Sequence, residues 1–257
     1  MAAPTWVASG TATSNSTNSI TPNWPAGLAA GDYVILQVAQ KHEDRTVSTP
    51  SGFTFLGSHT GGAGTPGVDT GNLKILVYGK EAVGTESGTF TVSSTGGTAS
   101  CFFGRTHAFR KAGGTTWSVG TAAIGADNSP GTLCSFTFDA NPGIETDDLC
   151  CVAWAVNSNE YTHSTHTFAA TGLTVGTVWE APGNTSVTAG NNLRASLVTA
   201  PITAGPASDV ATYTNTASSS GASAPAGAAI LVRLREVAAS GTVLPVFMHN
   251  YRQRRSA

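Results

Sequence analysis

The chain has 257 residues, of which 40% are apolar and only 11% charged, and its net charge is −2; a typical soluble protein is about 25% charged. No basic stripe runs along it, which argues against nucleic acid as a partner, and the longest apolar run of the body, Leu149 to Val156, is far too short to span a membrane. Thr, Ser, Gly, Ala and Asn stand in for charge, a mixture suited to β surface and tight turns and poor for helices.

The opening Met-Ala-Ala-Pro-Thr-Trp lacks the charged and apolar regions of a signal peptide, so synthesis in a cytoplasm without export by the usual route is expected. Alternating or β-branched runs bounded by Gly, Pro, Asn or Ser predict strands near 4–9, 32–40, 53–58, 72–82, 88–94 and 99–111. After Gly113-Gly114, further strands are predicted near 115–124, 132–139, 147–157, 173–180, 192–203, 208–214 and 226–237. Connections rich in Gly, Ser and Thr at 59–71, 181–191 and 215–225 are the places where surface variation and binding would concentrate. Many short strands with turns between them predict an all-β chain of antiparallel, jelly-roll-like sandwiches.

The second group of strands repeats the first. Thr5-Trp6 returns as Thr116-Trp117, Asp32-Tyr33-Val34 as Asp148-Leu149-Cys150, and Ser51-Gly52-Phe53 as Thr171-Gly172-Leu173. Asn72-Leu73-Lys74 returns as Asn192-Leu193-Arg194, and Phe109-Arg110 as Leu234-Arg235. The spacing widens slowly along the chain, as it would if loops lengthened in the second copy, a change of small entropic cost. Two tandem domains related by internal duplication are therefore expected, at 1–113 and 114–238, each with its own core and touching across a short linker.

Residues 239–257 have no counterpart after the first copy. Val243, Leu244, Val246, Phe247 and Met248 form an apolar peptide around Pro245, followed by Tyr251 and Arg252 in a basic end. Such a segment docks on a neighbour, folds back or stays disordered, and an assembly contact through these seven residues is the expectation adopted.

Catalytic signals are weak. Asp147-Asp148 open a strand and read as an edge cap, Glu43-Asp44 with Lys41 and Arg45 as a solvated cluster, and Glu81 and Glu86 as brackets of a turn. No nucleophile elbow, phosphate loop or dinucleotide fingerprint occurs. His163-Ser164-Thr165-His166 would serve one metal only from a loop or bend, because positions three apart on a regular strand face opposite sides; the pair reads as polar loop histidines. Neither a metal nor another cofactor is expected. Cys101, Cys134, Cys150 and Cys151 show no zinc-type spacing. Alternation sends Cys150 and Cys151 to opposite faces; small buried thiols, a Cys134 bridge to Cys150 or Cys151, and a cross-link between subunits are the alternatives. Trp6, Trp117 and Trp154 fit core positions, whereas Trp24 and Trp179 flank loops and are candidates for a glycan platform.

The run Pro25-Ala26-Gly27-Leu28-Ala29-Ala30-Gly31-Asp32-Tyr33-Val34-Ile35-Leu36, then Pro50-Ser51-Gly52-Phe53, Leu76-Val77-Tyr78-Gly79-Lys80-Glu81 and Glu86-Ser87-Gly88-Thr89-Phe90, resembles a β-sandwich module of structural proteins in tailed-bacteriophage virions. The first copy matches over most of its length, the second only through the first. The resemblance implies a non-catalytic virion protein, as a head decoration, neck or collar, or tail accessory. It would assemble with itself and other virion proteins. A carbohydrate-binding module of a host-recognition fibre is the alternative, with a host surface glycan as partner.

Overall fold

A computed structural model describes residues 2–41, 44–62, 72–96, 101–111, 115–120, 123–128, 133–157, 161–181, 185–187, 193–219 and 226–238. Among them there are strands and no helix. The first half holds β1 (Thr5–Ser9), β2 (Thr13–Asn15), β3 (Ser19–Ile20), β4 (Tyr33–Lys41), β5 (Thr46–Val47), β6 (Thr54–Gly61), β7 (Leu73–Glu81), β8 (Val92–Thr95) and β9 (Cys101–Arg110). The second holds β10 (Thr115–Val119), β11 (Ala123–Asp127), β12 (Leu133–Thr137), β13 (Leu149–Val156), β14 (Tyr161–Ala169), β15 (Thr174–Val175), β16 (Trp179–Glu180), β17 (Thr185–Val187), β18 (Leu193–Ala204), β19 (Thr212–Ser219) and β20 (Gly227–Ala238).

The strand order repeats. One large sheet runs β1-β9-β4-β7-β6 with β2 also on β9, and the other runs β10-β20-β13-β18-β15 with β11 also on β20. The small sheets are β3-β8-β5 and β12-β19-β14. Exchanging β10 for β1, β13 for β4, β18 for β7 and β20 for β9 converts one large sheet into the other. The same exchange of β12, β14 and β19 for β3, β5 and β8 converts the small ones. Residues 174–181, 120 positions after β6, hold β15 and β16 together, so among the described residues only β17, beside β18, lacks a counterpart. In each half the chain passes back and forth between two antiparallel sheets, which makes each a sandwich.

Side-chain alternation explains three separate apolar layers. Val34, Leu36 and Val38 of β4 face the first small sheet and pack with Ile20, Val47, Val92 and Phe102. Cys150, Val152 and Trp154 of β13 face the second small sheet and pack with Phe136, Phe168 and Tyr213. The opposite faces, carrying Tyr33, Ile35, Ile75 and Phe103 on one side and Leu149, Cys151, Leu197 and Ile230 on the other, pack against each other. The molecule is thus four sheets deep, with both large sheets inside. Every residue of β4 and of β13 is buried, which is why β13 reads as an unbroken apolar run and β4 as an apolar run interrupted only by Gln37 before its polar end, rather than as alternation.

Close backbone approach fixes this central layer. A Cβ on Gly61 of β6 would lie 2.0 Å from the carbonyl oxygen of Gly227 of β20, so only glycine allows the two halves to meet there. Gln37 of β4, fully buried, donates through Nε2 to the carbonyls of Trp154 and Ser196 at 2.9 and 3.0 Å. Lys41, also fully buried, donates through Nζ to the Asn157 carbonyl at 2.9 Å.

Several expectations change. The strand predicted at 115–124 breaks at Gly120 into β10 and β11, whose main-chain N–H turns to the Arg233 carbonyl. Strands β2, β3, β5, β14 and β17 were not foreseen. Lys41 and Arg45 are fully buried rather than part of a solvated cluster; Lys41 sits at the junction of the halves, and Gln40 holds the Arg45 carbonyl at 3.0 Å. The Gly113-Gly114 linker and the 239–257 segment lie outside the described residues.

Candidate functional site

The second sandwich encloses a polar cluster. Its local cause is an irregularity in β14, the edge strand of the second small sheet. The pairing of β14 with β19 shifts between Ser164 and Thr167, and Thr165 takes a φ of 53°, a left-handed conformation that costs a β-branched residue dearly. A bulge of this kind re-aims side chains. Here it turns His163 and His166 to the same side, over Trp154, with ring centroids 4.7 and 6.5 Å from the indole. The two histidines therefore belong to a bulged strand and not, as the sequence suggested, to a polar loop.

The polar atoms of the cluster form one chain. His163 Nδ1 lies 2.7 Å from Asn215 Oδ1. Asn215 Nδ2 donates to Tyr213 Oη at 3.2 Å. Tyr213 Oη lies 2.7 Å from His166 Nδ1, and His166 Nε2 lies 3.3 Å from Glu180 Oε2. Asn215 and Tyr213 are fully buried, and His163 is nearly so. Glu180 belongs to β16 on the large sheet and His166 to the small one, so their contact joins the two sheets along one open side of the sandwich.

Donor and acceptor chemistry orients the chain. An amide nitrogen only donates, so Tyr213 accepts from Asn215. At the other end an amide oxygen only accepts, so His163 carries its hydrogen on Nδ1 and its Nε2 is a bare lone pair. Burial, more than the neighbouring charges, pushes His163 down to about 4 and keeps it neutral. His163 Nε2 and the indole N–H of Trp154 find no hydrogen-bond partner among the described residues. No three His, Cys, Asp or Glu side chains among the described residues converge as a metal-binding group. What the arrangement offers is a buried chain of polar contacts that ends on a neutral imidazole. The His-x-x-His spacing was visible in the sequence; the bulge that brings both rings together left no sign beyond the polar Ser164-Thr165.

The other sequence candidates are placed as follows. Trp179 packs on Trp6 at 4.9 Å, indole against indole across the two halves. Trp24 stacks on Phe53 at 5.5 Å, touches Phe90 at 4.6 Å, and has the Lys80 ammonium 4.8 Å from its centroid. Both tryptophans are half-buried. Trp154 is fully buried, while Trp6 and Trp117 border the central layer. All four cysteines are buried free thiols, with Cys150 and Cys151 in different apolar layers as alternation requires. Burial pushes Cys101 and Cys134 up to about 12, so neither thiol is ionised near neutrality. Val243, Leu244, Val246, Phe247, Met248, Tyr251 and Arg252 lie outside the described residues.

No protein-family model matches the chain, nor does any curated protein or solved structure.

The acidic residues take structural positions. Glu86 accepts from the Val83 and Gly84 main-chain N–H groups at 3.0 and 2.9 Å and pairs with Lys80 at 3.0 Å. Burial opposes its charge, but these donors outweigh it and hold the carboxyl at about 2. Asp148, read from the sequence as an edge cap, is fully buried and held by Arg235.

Proposed function

We propose that the chain is a non-catalytic structural protein of a tailed-bacteriophage virion, as a head decoration, neck or collar, or tail accessory, assembling with copies of itself and with other virion proteins. The observation that carries this reading is the use made of the motif residues. Gly27, Gly31 and Asp32 build the corner that Arg110 closes. Pro50 and Phe53 close a turn through a main-chain hydrogen bond of 3.1 Å. Lys80 and Glu86 tie the end of β7 to the next turn. The residues that resemble the virion module therefore shape corners and edges, which suits building material. The matching strand orders of the halves support an internal duplication as its origin.

The apolar peptide at 243–248 is the proposed assembly contact, and the test is removal of residues 239–257 followed by an assay of incorporation into particles. Loss of incorporation with an unchanged circular dichroism spectrum is expected; full incorporation overturns the docking role. A map of intact particles by electron microscopy then locates the protein.

A second reading, recognition of a host glycan, draws on Trp24, which is half-buried and sits beside the Lys80 ammonium. Binding of the intact protein on a glycan array, lost in Trp24→Ala, would favour it; no binding would remove it.

A further inference from the structure

Lys41 and Asn157 occupy the same place in the two halves. Tyr33 of β4 pairs with Phe109 of β9, and Leu149 of β13 pairs with Leu234 of β20. The same number of steps from these pairs leads to Lys41 opposite Cys101 in one half, and to Asn157 bonded through its main-chain N–H to the Ala226 carbonyl in the other. Across the central layer the two positions touch, because Lys41 Nζ donates to the Asn157 carbonyl at 2.9 Å. Gln37, earlier on β4, reaches the carbonyl of Trp154, earlier on β13. The two strands therefore run in step and in the same direction on either side of the layer. Two like sheets that face each other in this way are related by an approximate two-fold axis along the strands.

A face that pairs with its like inside one chain is also a face for pairing two chains. We propose that Lys41 forbids the second kind of pairing: its buried charge bars the large sheet of the first half from packing on the same sheet of a second copy, and so reserves that face for the second half.

Within the chain, one lysine meets one neutral asparagine. Lys41 is fully buried and Asn157 nearly so. In a pairing of two first halves about the same axis, both positions hold Lys41. Each ammonium then reaches for the carbonyl of the other copy, and two like charges meet in a buried layer, where their repulsion is little screened. The rest of the layer does not discriminate. Tyr33, Ile35, Ile75 and Phe103 on one side and Leu149, Cys151, Leu197 and Ile230 on the other are all apolar side chains, and apolar contact is non-directional. A repulsive element aimed at the wrong partner is how such surfaces become specific.

The hazard is greatest before the second half exists. Domains of a growing chain fold from the N-terminus onward. The first sandwich is then complete while its central face is still uncovered, and the matching surface at hand is that of another first half. Once the second half is made, the short connection from Arg110 to Thr115 gives it a local concentration that a separate copy lacks. Lys41 keeps the face unpaired for the interval between. Contacts between finished copies are left to surfaces outside the central layer.

The test is urea unfolding of the full chain and of its variants. Asn157→Lys puts a lysine at both positions and so reproduces the encounter of two first halves inside one molecule. Its urea midpoint should fall well below that of Asn157→Met, which adds similar bulk without charge. Adding Lys41→Asn to Asn157→Lys exchanges the two residues and should recover most of the loss. Should Asn157→Lys fail to fold, the exchanged variant decides, since it is expected to fold. The native chain and Lys41→Met, refolded from urea over a range of concentrations, are then compared by light scattering. Lys41→Met should form a dimeric species in excess of the native chain at the highest concentrations. The proposal is overturned by an Asn157→Lys midpoint no lower than that of Asn157→Met, or by an exchanged variant no more stable than Asn157→Lys. Equal mass distributions for the native chain and Lys41→Met overturn it as well.

Discussion

Arg235 grips Asp148 through Nε and Nη2 at 2.6 and 2.8 Å, and its Nη2 also donates to the Gly143 carbonyl at 2.8 Å. Arg110 grips Asp32 in the same way at 2.8 and 2.6 Å and donates to the Gly27 carbonyl at 2.9 Å. In both halves the carboxylate also accepts a main-chain N–H three residues before it, from Ala29 or from Glu145. One clamp therefore closes the same corner twice, joining the start of the central strand to the end of the last one.

Replacing either arginine leaves a buried carboxylate with its main-chain donor and, at Asp148, the Arg233 guanidinium at 3.9 Å, but without its paired contact. Arg235→Ala should lose about 2–3 kcal/mol, discounted from a fully buried pair because the guanidinium is partly solvated. Arg110→Ala should lose less, about 1 kcal/mol, because the Arg110 side chain is 44% exposed against 22% for Arg235. Lysine should rescue neither fully, since it cannot make the paired contact. Urea unfolding midpoints rank the variants; an Arg110→Ala loss larger than that of Arg235→Ala contradicts the account.

The corner also needs a left-handed residue before each aspartate. Gly31 has a φ of 85° and its counterpart Asp147 a φ of 68°. Gly31→Val should cost about 1–2 kcal/mol from backbone conformation, because a Cβ there meets nothing closer than 3.7 Å. Thermal unfolding decides, and a neutral Gly31→Val would show that the turn conformation carries no such cost.

Much of this was legible in the sequence, and the reason is burial. Strands β4, β7, β9, β13, β18 and β20 are long and largely apolar, so their runs and their recurring order stand out. Strands β3 and β5 have two residues each, too few to show a period. Strand β14 hid because Thr165 breaks its alternation. The central layer was missed for a different cause. Apolar residues on both faces of β4 announce that both are covered, but alternation does not say by what; the second large sheet of the same chain supplies the cover. The arginine clamps were half visible: Asp32 and Asp148 recurred in register, as did Arg110 and Arg235, but nothing local joins residues so far apart.

Contact between the halves at Gly61 is tight enough to test with one methyl group. Gly61→Ala places its Cβ against the backbone of Gly227, which has no flexible side chain to move aside. A loss of about 2 kcal/mol or more is expected, at the upper part of the overpacking range. An unchanged urea midpoint would mean that the two sheets do not approach so closely.

Acid should weaken the fold through its buried histidines. Burial, with Arg105 adding to it, pushes His107 down to about 3, and burial pushes His163 down to about 4. Both folded values lie below the ordinary imidazole range, so the unfolded chain takes up these protons first as pH falls. Their stabilising effect is complete above about pH 6.5 and is lost progressively toward pH 4, at roughly 1.4 kcal/mol per pH unit for each ring. His107→Val, the residue type at the matching Val232, should flatten the decline measured by urea unfolding. An equal slope in that variant contradicts the assignment.

The claim on which the rest depends is that the two sandwiches form one body through the layer between their large sheets. Native-state hydrogen exchange reads it directly. The amides of β4 and β13, each buried on both faces, should open only with global unfolding, at one shared free energy that Gly61→Ala lowers equally in both. If the amides of one half exchange at a lower free energy than those of the other, or if the variant shifts only its own half, the sandwiches are independent and the account fails.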